Sequence, residues 1–173
     1  MKLNIIVAFE MGSQGIGLKN NIPWYFPKDL KNFSKVTKGN SNNAIIMGRK
    51  TWESLPKKPL PGRQNIILSR STTEINLHDN ELYFSDMSTA VEHCKKHEFE
   101  ETWIIGGSEI YNQAMKSYPI DELHVTEIYK EYECDTFFPD IPTAFECIEE
   151  RTEINDEITI KYKILRNHTK DCQ

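Results

Sequence analysis

Short, continuous apolar runs alternate with amphipathic stretches along the chain. K-L-N-I-I-V-A-F at 2–9 is one such run; others lie at 43–47, 65–68 and 102–105, with a weaker one at 82–85. Runs this short and rich in Ile and Val read as strands buried on both faces. Between them, apolar residues recur at helical spacing over 27–37, 49–55, 88–97 and 108–118. Pro27 stands in the first turn of its helix, where a missing N–H costs nothing, and Gly39 follows its end. Ser88 is the expected N-cap of the third helix. The second helix is stopped by the rigid turn P-K-K-P-L-P-G. After Tyr118 the pattern changes to apolar–polar alternation over 122–128, 145–152 and 157–165, with Asn155-Asp156 as the expected hairpin turn.

Strand–helix alternation followed by antiparallel strands predicts an α/β fold. The expectation is one domain over residues 1–173. Its central sheet would be mixed but mostly parallel, of about eight strands, with an antiparallel C-terminal edge and about four flanking helices.

One residue interrupts the pattern. In N-N-I-P-W-Y-F-P-K-D-L-K-N-F-S-K-V, at 20–36, the residues Phe26, Leu30, Phe33 and Val36 share one side of a helix. Asp29 is offset from Phe33 by about 40° and from Val36 by about 20°, so it lies within the apolar stripe. A lone carboxylate there is costly unless paired. It is either a solvated first-turn acid favoured by the helix dipole, or the floor of a pocket that binds a polar heterocycle and assists proton transfer.

Composition narrows the class. The chain has 173 residues, 38% hydrophobic and 27% charged, as in a globular domain. No apolar run approaches the roughly 20 residues that span a bilayer, and the N-terminus lacks a cleavage signature. The cysteines at 94, 134, 147 and 172 match no metal or C-x-x-C spacing. Free thiols, a cytoplasmic location and no metal are therefore expected. Net charge is -5, yet 41–73 holds six cations (Arg49, Lys50, Lys57, Lys58, Arg63, Arg70) against Glu53 alone. That island is either a solvated basic surface or the seat of an anionic ligand.

Three predicted strand ends carry further chemistry. W-I-I-G-G-S-E-I-Y at 103–111 runs from a strand through two glycines into a helix. The turn could be merely tight, or could admit a pyrophosphate to the helix N-terminus. I-I-M-G-R-K-T-W at 45–52 places Arg49, Lys50 and Thr51 in a first helical turn, where cations oppose the dipole unless an anion is present. S-R-S at 69–71 repeats a hydroxyl and an Arg after the next strand. Ligands of parallel α/β sheets gather at the C-terminal strand ends, so the three together suggest one phosphate-rich ligand. Arg63 follows a rigid turn, as either a surface Arg or a carboxylate clamp.

The segments, in order, resemble the common chromosomal type of dihydrofolate reductase. The matching stretches are I-V-A at 6–8, G-I-G at 15–17, I-P-W-Y-F-P-K-D-L at 22–30, I-I-M-G-R-K-T-W-E-S-L at 45–55 and P-L-P-G-R-Q-N-I-I-L-S-R at 59–70. W-I-I-G-G-S-E-I-Y, L-H-V-T-E-I and C-D-T-F-F-P continue the match at 103–111, 123–128 and 134–139. The resemblance implies reduction of 7,8-dihydrofolate by NADPH. It implies that Asp29 is the pterin-facing acid, supported by the Thr126 hydroxyl, with Trp24 beside the pterin holding water. Ala8, Leu30, Phe33, Leu55, Ile105 and Tyr111 would line the substrate pocket, and Arg63 would take the glutamate carboxylate. For NADPH, Gly106, Gly107, Ser108 and Glu109 would form the diphosphate turn. Ile16 and Gly17 would belong to the loop closing over nicotinamide. Arg49, Lys50, Thr51, Ser69 and Arg70 would hold phosphates. Ala8, Gly48, Leu68, Ile105, Ile110 and Tyr111 would complete the cofactor side.

By the same resemblance, Asp29 anchors the amino-pyrimidine edge while water protonates the imine nitrogen. Two departures stand out. The loop M-G-S-Q-G-I-G is about one residue longer than the common form, and Glu109 sets an acid beside the expected diphosphate. The implied partner is a small molecule, with a monomer expected and no nucleic acid, membrane or fused thymidylate synthase. Two other readings remain: a reductase of another pterin or a riboflavin-pathway pyrimidine, and a non-catalytic NADPH- or nucleic-acid-binding protein on the same scaffold. Asp29 with Phe33 and Arg63 favours folate over the first. The absence of an aromatic–basic RNA motif weighs against the second.

Overall fold

The computed structural model describes residues 1–71 and 80–170. The first half contains β1 (Lys2–Glu10), β2 (Gly15–Gly17), α1 (Pro27–Lys38), β3 (Asn43–Gly48), α2 (Arg49–Ser54), β4 (Gln64–Leu68) and β5 (Glu81–Phe84). Then follow α3 (Met87–Lys96), β6 (Glu101–Ile104), α4 (Ser108–Ser117), β7 (Glu122–Ile128), β8 (Thr136–Phe137), β9 (Phe145–Asn155), β10 (Ile158–Asn167) and a 3-10 turn at His168–Lys170. An eight-stranded sheet runs in the order β5-β4-β3-β6-β1-β7-β10-β9. Its pairs are parallel from β5 to β7 and antiparallel at β7–β10 and β10–β9. The predicted mixed sheet with an antiparallel C-terminal edge is the one observed.

The continuous apolar runs resolve into two faces, because successive strand residues point to opposite sides. Leu3, Ile5, Val7 and Phe9 of β1 join Ala44 and Ile46 of β3 in a core shared with Val91 of α3 and Ala114 of α4. Ile6 of β1 and Ile45 and Met47 of β3 turn the other way, to Trp52 of α2 and Phe33 and Val36 of α1. The helices after β1 and β3 therefore lie on one face, and α4, which follows β6, on the other. Because β6 sits between β3 and β1, neighbouring strands send their chains to opposite faces. That switch opens a crevice at their C-terminal ends.

Four local expectations are corrected. Helix α3 is capped by Asp86, whose carboxylate accepts from the Thr89 N–H at 2.9 Å; Ser88 is within the helix. Asp86 precedes the helix with extended backbone, the geometry an N-cap requires. The β9–β10 hairpin turns one residue later than expected, on Asp156 and Glu157 with φ 47° and 65°. A second sheet pairs β2 with β8, strands of 3 and 2 residues that leave no periodic signal. The polar tail R-N-H-T-K-D-C-Q, whose composition predicts fraying from Arg166 onward, begins within β10, where Arg166 donates to Glu122 at 2.9 Å. Cys94, Cys134 and Cys147 are free thiols; Cys172 lies outside the described residues.

Candidate active site

A cavity of about 1040 Å³ occupies the crevice. Its floor is central. Ala8 of β1 pairs with Thr126 of β7, which pairs with Tyr162 of β10. The Thr126 hydroxyl donates to Asp29 Oδ1 at 2.9 Å. Burial pushes the Asp29 carboxyl above its ordinary value, and the Thr126 hydrogen bond and the Arg151 guanidinium offset this only in part. Arg151 is held over the Tyr162 ring, 4.0 Å from its centroid, and donates to Asn32 of α1 at 2.9 Å.

Helix α1 explains the misplaced acid. Its apolar stripe is core only in part. Phe26 is buried in a cluster with Ile128, Ile160 and Tyr162, while Leu30 is 49% exposed and, with Phe33, faces the cavity. The helix rests on the sheet through Val36 and Phe26 and meets the cavity at Leu30 and Phe33, so that part of its apolar face is a wall. Asp29 interrupts that wall at the floor.

Arg63 is 4% exposed, not the surface Arg that a turn suggests. Its Nη1 donates to Thr37 Oγ1 at 2.6 Å and its Nε to the Pro61 carbonyl at 3.0 Å. The guanidinium lies 5.9 Å from the Phe33 ring centroid. Among the described residues it pairs with no carboxylate, and burial lowers its pKa. A buried guanidinium without a counter-ion is costly, and the cost is relieved when a carboxylate arrives.

The other arm of the cavity carries the predicted anion-binding groups. Gly48, Arg49, Lys50, Thr51, Ser69 and Arg70 line it, as do Gly107, Ser108, Glu109 and Ile110 at the start of α4. The Gly48 N–H donates to the Gly106 carbonyl at 2.8 Å, tying two strand ends together. Gly106 has φ +111°, and a Cβ there would lie 3.0 Å from the Tyr111 ring, so only glycine fits. At Gly107 a Cβ would meet only Thr51 Oγ1, at 3.5 Å. That room, beside the free N–H groups of the helix start, is what a diphosphate needs. Arg49 is shared, donating to Glu53 at 2.8 Å and to Ser71 at 3.3 Å.

Ile16, Gly17, Leu55, Leu68, Ile105 and Tyr111 complete the predicted lining. The Tyr111 hydroxyl is committed to the Ile6 carbonyl at 2.9 Å. Trp24, Arg63 and Gly106 are outside the lining. Trp24 packs against Tyr132, ring centroids 5.3 Å apart. The basic island divides: Lys58 turns to the Trp52 carbonyl at 3.2 Å, away from the cavity. Among the lining residues that sequence reasoning missed are Asn20, Asn21, Ile22, Asp86, Gln113 and Thr136. An apolar Ile22 left in a polar turn was the available signal. Among the described residues no cluster of His, Cys, Asp or Glu could hold a metal.

Residues 2–168 match the family model described as dihydrofolate reductase. A dihydrofolate reductase of Drosophila melanogaster is 37% identical, over 98% of this chain and 100% of its own. One of Candida albicans is 42% identical over 77% of this chain and 73% of its own. A putative dihydrofolate reductase of Caenorhabditis elegans is 34% identical over 96% of this chain and 99% of its own.

Proposed function

The chain belongs to the dihydrofolate reductase family, an enzyme family that reduces 7,8-dihydrofolate to tetrahydrofolate with NADPH, and from that premise we propose which residues of this chain carry the reaction. The observation that carries the assignment is the hydrogen-bonded pair of Asp29 and Thr126 on the floor of a cavity with one cation-lined arm, the buried Arg63 lying beside the wall residue Phe33. A pterin fits against Asp29, an aryl ring between Leu30, Phe33 and Leu55, and a glutamate carboxylate at Arg63. Arg49, Lys50, Thr51, Ser69 and Arg70 hold the phosphates of NADPH, with Gly106, Gly107, Ser108 and Glu109 around its diphosphate.

When bound, NADPH supplies a hydride, two electrons and one proton's nucleus, to the pterin imine carbon. The imine nitrogen must gain a separate proton. Asp29 accepts paired hydrogen bonds from the amino-pyrimidine edge and holds the ring in place. Burial raises its pKa, which favours the protonated form that can pass a proton on through water. Trp24 helps to hold that water, next to the stretch whose Asn20, Asn21 and Ile22 line the cavity. Ile16 and Gly17 close the site from the loop side. Ala8, Ile105 and Tyr111 fix the distance between the two ligands.

The reading extends to a cytoplasmic monomer with no nucleic-acid partner. Three free thiols suit a reducing compartment.

Oxidation of NADPH in the presence of dihydrofolate tests the assignment. Steady turnover is expected from the folded protein, and none would overturn it. Arg63→Ala is expected to raise the KM for dihydrofolate at least tenfold, the order lost with a charge-assisted bidentate contact. It should leave the KM for a pteroate lacking glutamate unchanged. An equal rise for both substrates would remove Arg63 from carboxylate recognition.

A further inference from the structure

At the end of β1, Glu10 is 1% exposed and has no cation partner among the described residues. Its donors all come from the loop that follows. Oε2 accepts from the Gly12 N–H at 2.8 Å; Oε1 accepts from the Ser13 N–H at 2.7 Å, the Gly15 N–H at 3.1 Å and the Ser13 hydroxyl. The loop is thus wound around one carboxylate. Gly12 and Gly15 allow this: a Cβ on Gly12 would sit 2.9 Å from Glu10 Oε2, and one on Gly15 would lie 2.4 Å from Cys134 Sγ. The residues that come next, Ile16 and Gly17, form part of the cavity wall. From outside, the loop is held by the Gln14 carbonyl, which accepts from the Phe138 N–H at 2.9 Å, and by the Gly17 carbonyl, which accepts from the Asp135 N–H at 2.9 Å.

We propose that Glu10 is a positioning residue for hydride transfer: its carboxylate latches the 12–15 loop and so fixes Ile16 and Gly17 against the ligands. The proposal rests on the reductase reading for its kinetic consequence, but not for the latch itself. The physical reason is that burial of the charge and closure of the loop are one event. A buried carboxylate without a counter-ion is tolerated only while hydrogen-bonded. If the loop opens, Glu10 loses every side-chain donor at once, so partly open states are disfavoured. A surface-turn cap with no bearing on the reaction would show the same bonds but would not set the position of Ile16.

Amide hydrogen exchange and kinetics on Glu10→Gln and Ser13→Ala separate these cases. Gln keeps one acceptor oxygen and presents an NH2 to the Gly12 N–H; Ser13→Ala removes a single donor and keeps the fold. In Glu10→Gln, the Gly12, Ser13 and Gly15 amides are expected to lose protection while those of β1 and β7 keep theirs. This readout needs no turnover, so it stands even if the reductase reading fails. With dihydrofolate, kcat is expected to fall on the order of tenfold. The deuterium isotope effect from 4-deuterated NADPH should rise as the chemical step becomes limiting, and Ser13→Ala should fall between Gln and wild type. Unchanged loop exchange in Glu10→Gln would overturn the latch. Lost loop protection with wild-type kcat and isotope effect would overturn the positioning role and leave a structural cap.

Discussion

Asp29 accepts from Thr126 at 2.9 Å while burial raises its pKa above the ordinary 3.8. The sign of the stability effect follows. The folded state holds this proton more tightly than the unfolded state, so stability falls as pH rises from 3.8 through the folded value. Asp29→Asn, which keeps an oxygen for Thr126, is expected to melt higher than wild type at pH 7. Thermal denaturation across pH should show the gap closing towards pH 3.8; a variant that melts lower throughout would contradict the buried-charge account. Helical periodicity placed Asp29 in the stripe but could not say that the stripe faces a cavity, because that depends on where α1 lies over the sheet. For the same reason the turn alone left Arg63 open between a surface residue and a carboxylate clamp. Its burial comes from Phe33 and Thr37, 30 and 26 positions away.

Elements were legible where their periods were long. The runs that became β1, β3, β4 and β6 were readable as strands, since burial on both faces leaves unbroken apolar stretches. The β2–β8 pair was not, because strands of 3 and 2 residues carry no period. Turns were legible only to within a residue. The β9–β10 hairpin places two left-handed residues, Asp156 and Glu157, at its tip, the requirement of a type I′ turn. Asp tolerates that conformation, whereas Glu does not. Glu157→Gly is therefore expected to stabilise the protein by roughly 0.5–1 kcal/mol, read as a higher urea midpoint at unchanged slope. A lower midpoint would show that the Glu157 side chain makes a compensating contact.

Across the whole molecule, charge is arranged by position rather than by amount. The chain is -5 overall, yet Arg49, Lys50 and Arg70 line one arm of the cavity. Sequence showed the island, but only the sheet order brings the ends of β3, β4 and β6 together. Replacing both Arg49 and Arg70 by Ala should weaken NADPH binding at least tenfold more than NADH binding, as loss of contacts to the extra ribose phosphate requires. Equal losses in fluorescence titrations with the two cofactors would place those arginines elsewhere on the ligand. The central claim, that an acid within an apolar helix stripe is the working group of a reductase, is tested most directly by NADPH oxidation with dihydrofolate in wild type and Asp29→Asn. The account predicts steady turnover by wild type, a fall of at least a hundredfold in kcat/KM for the variant, the scale of a lost proton-transfer group, and unchanged NADPH affinity. Equal turnover in the two proteins would contradict it.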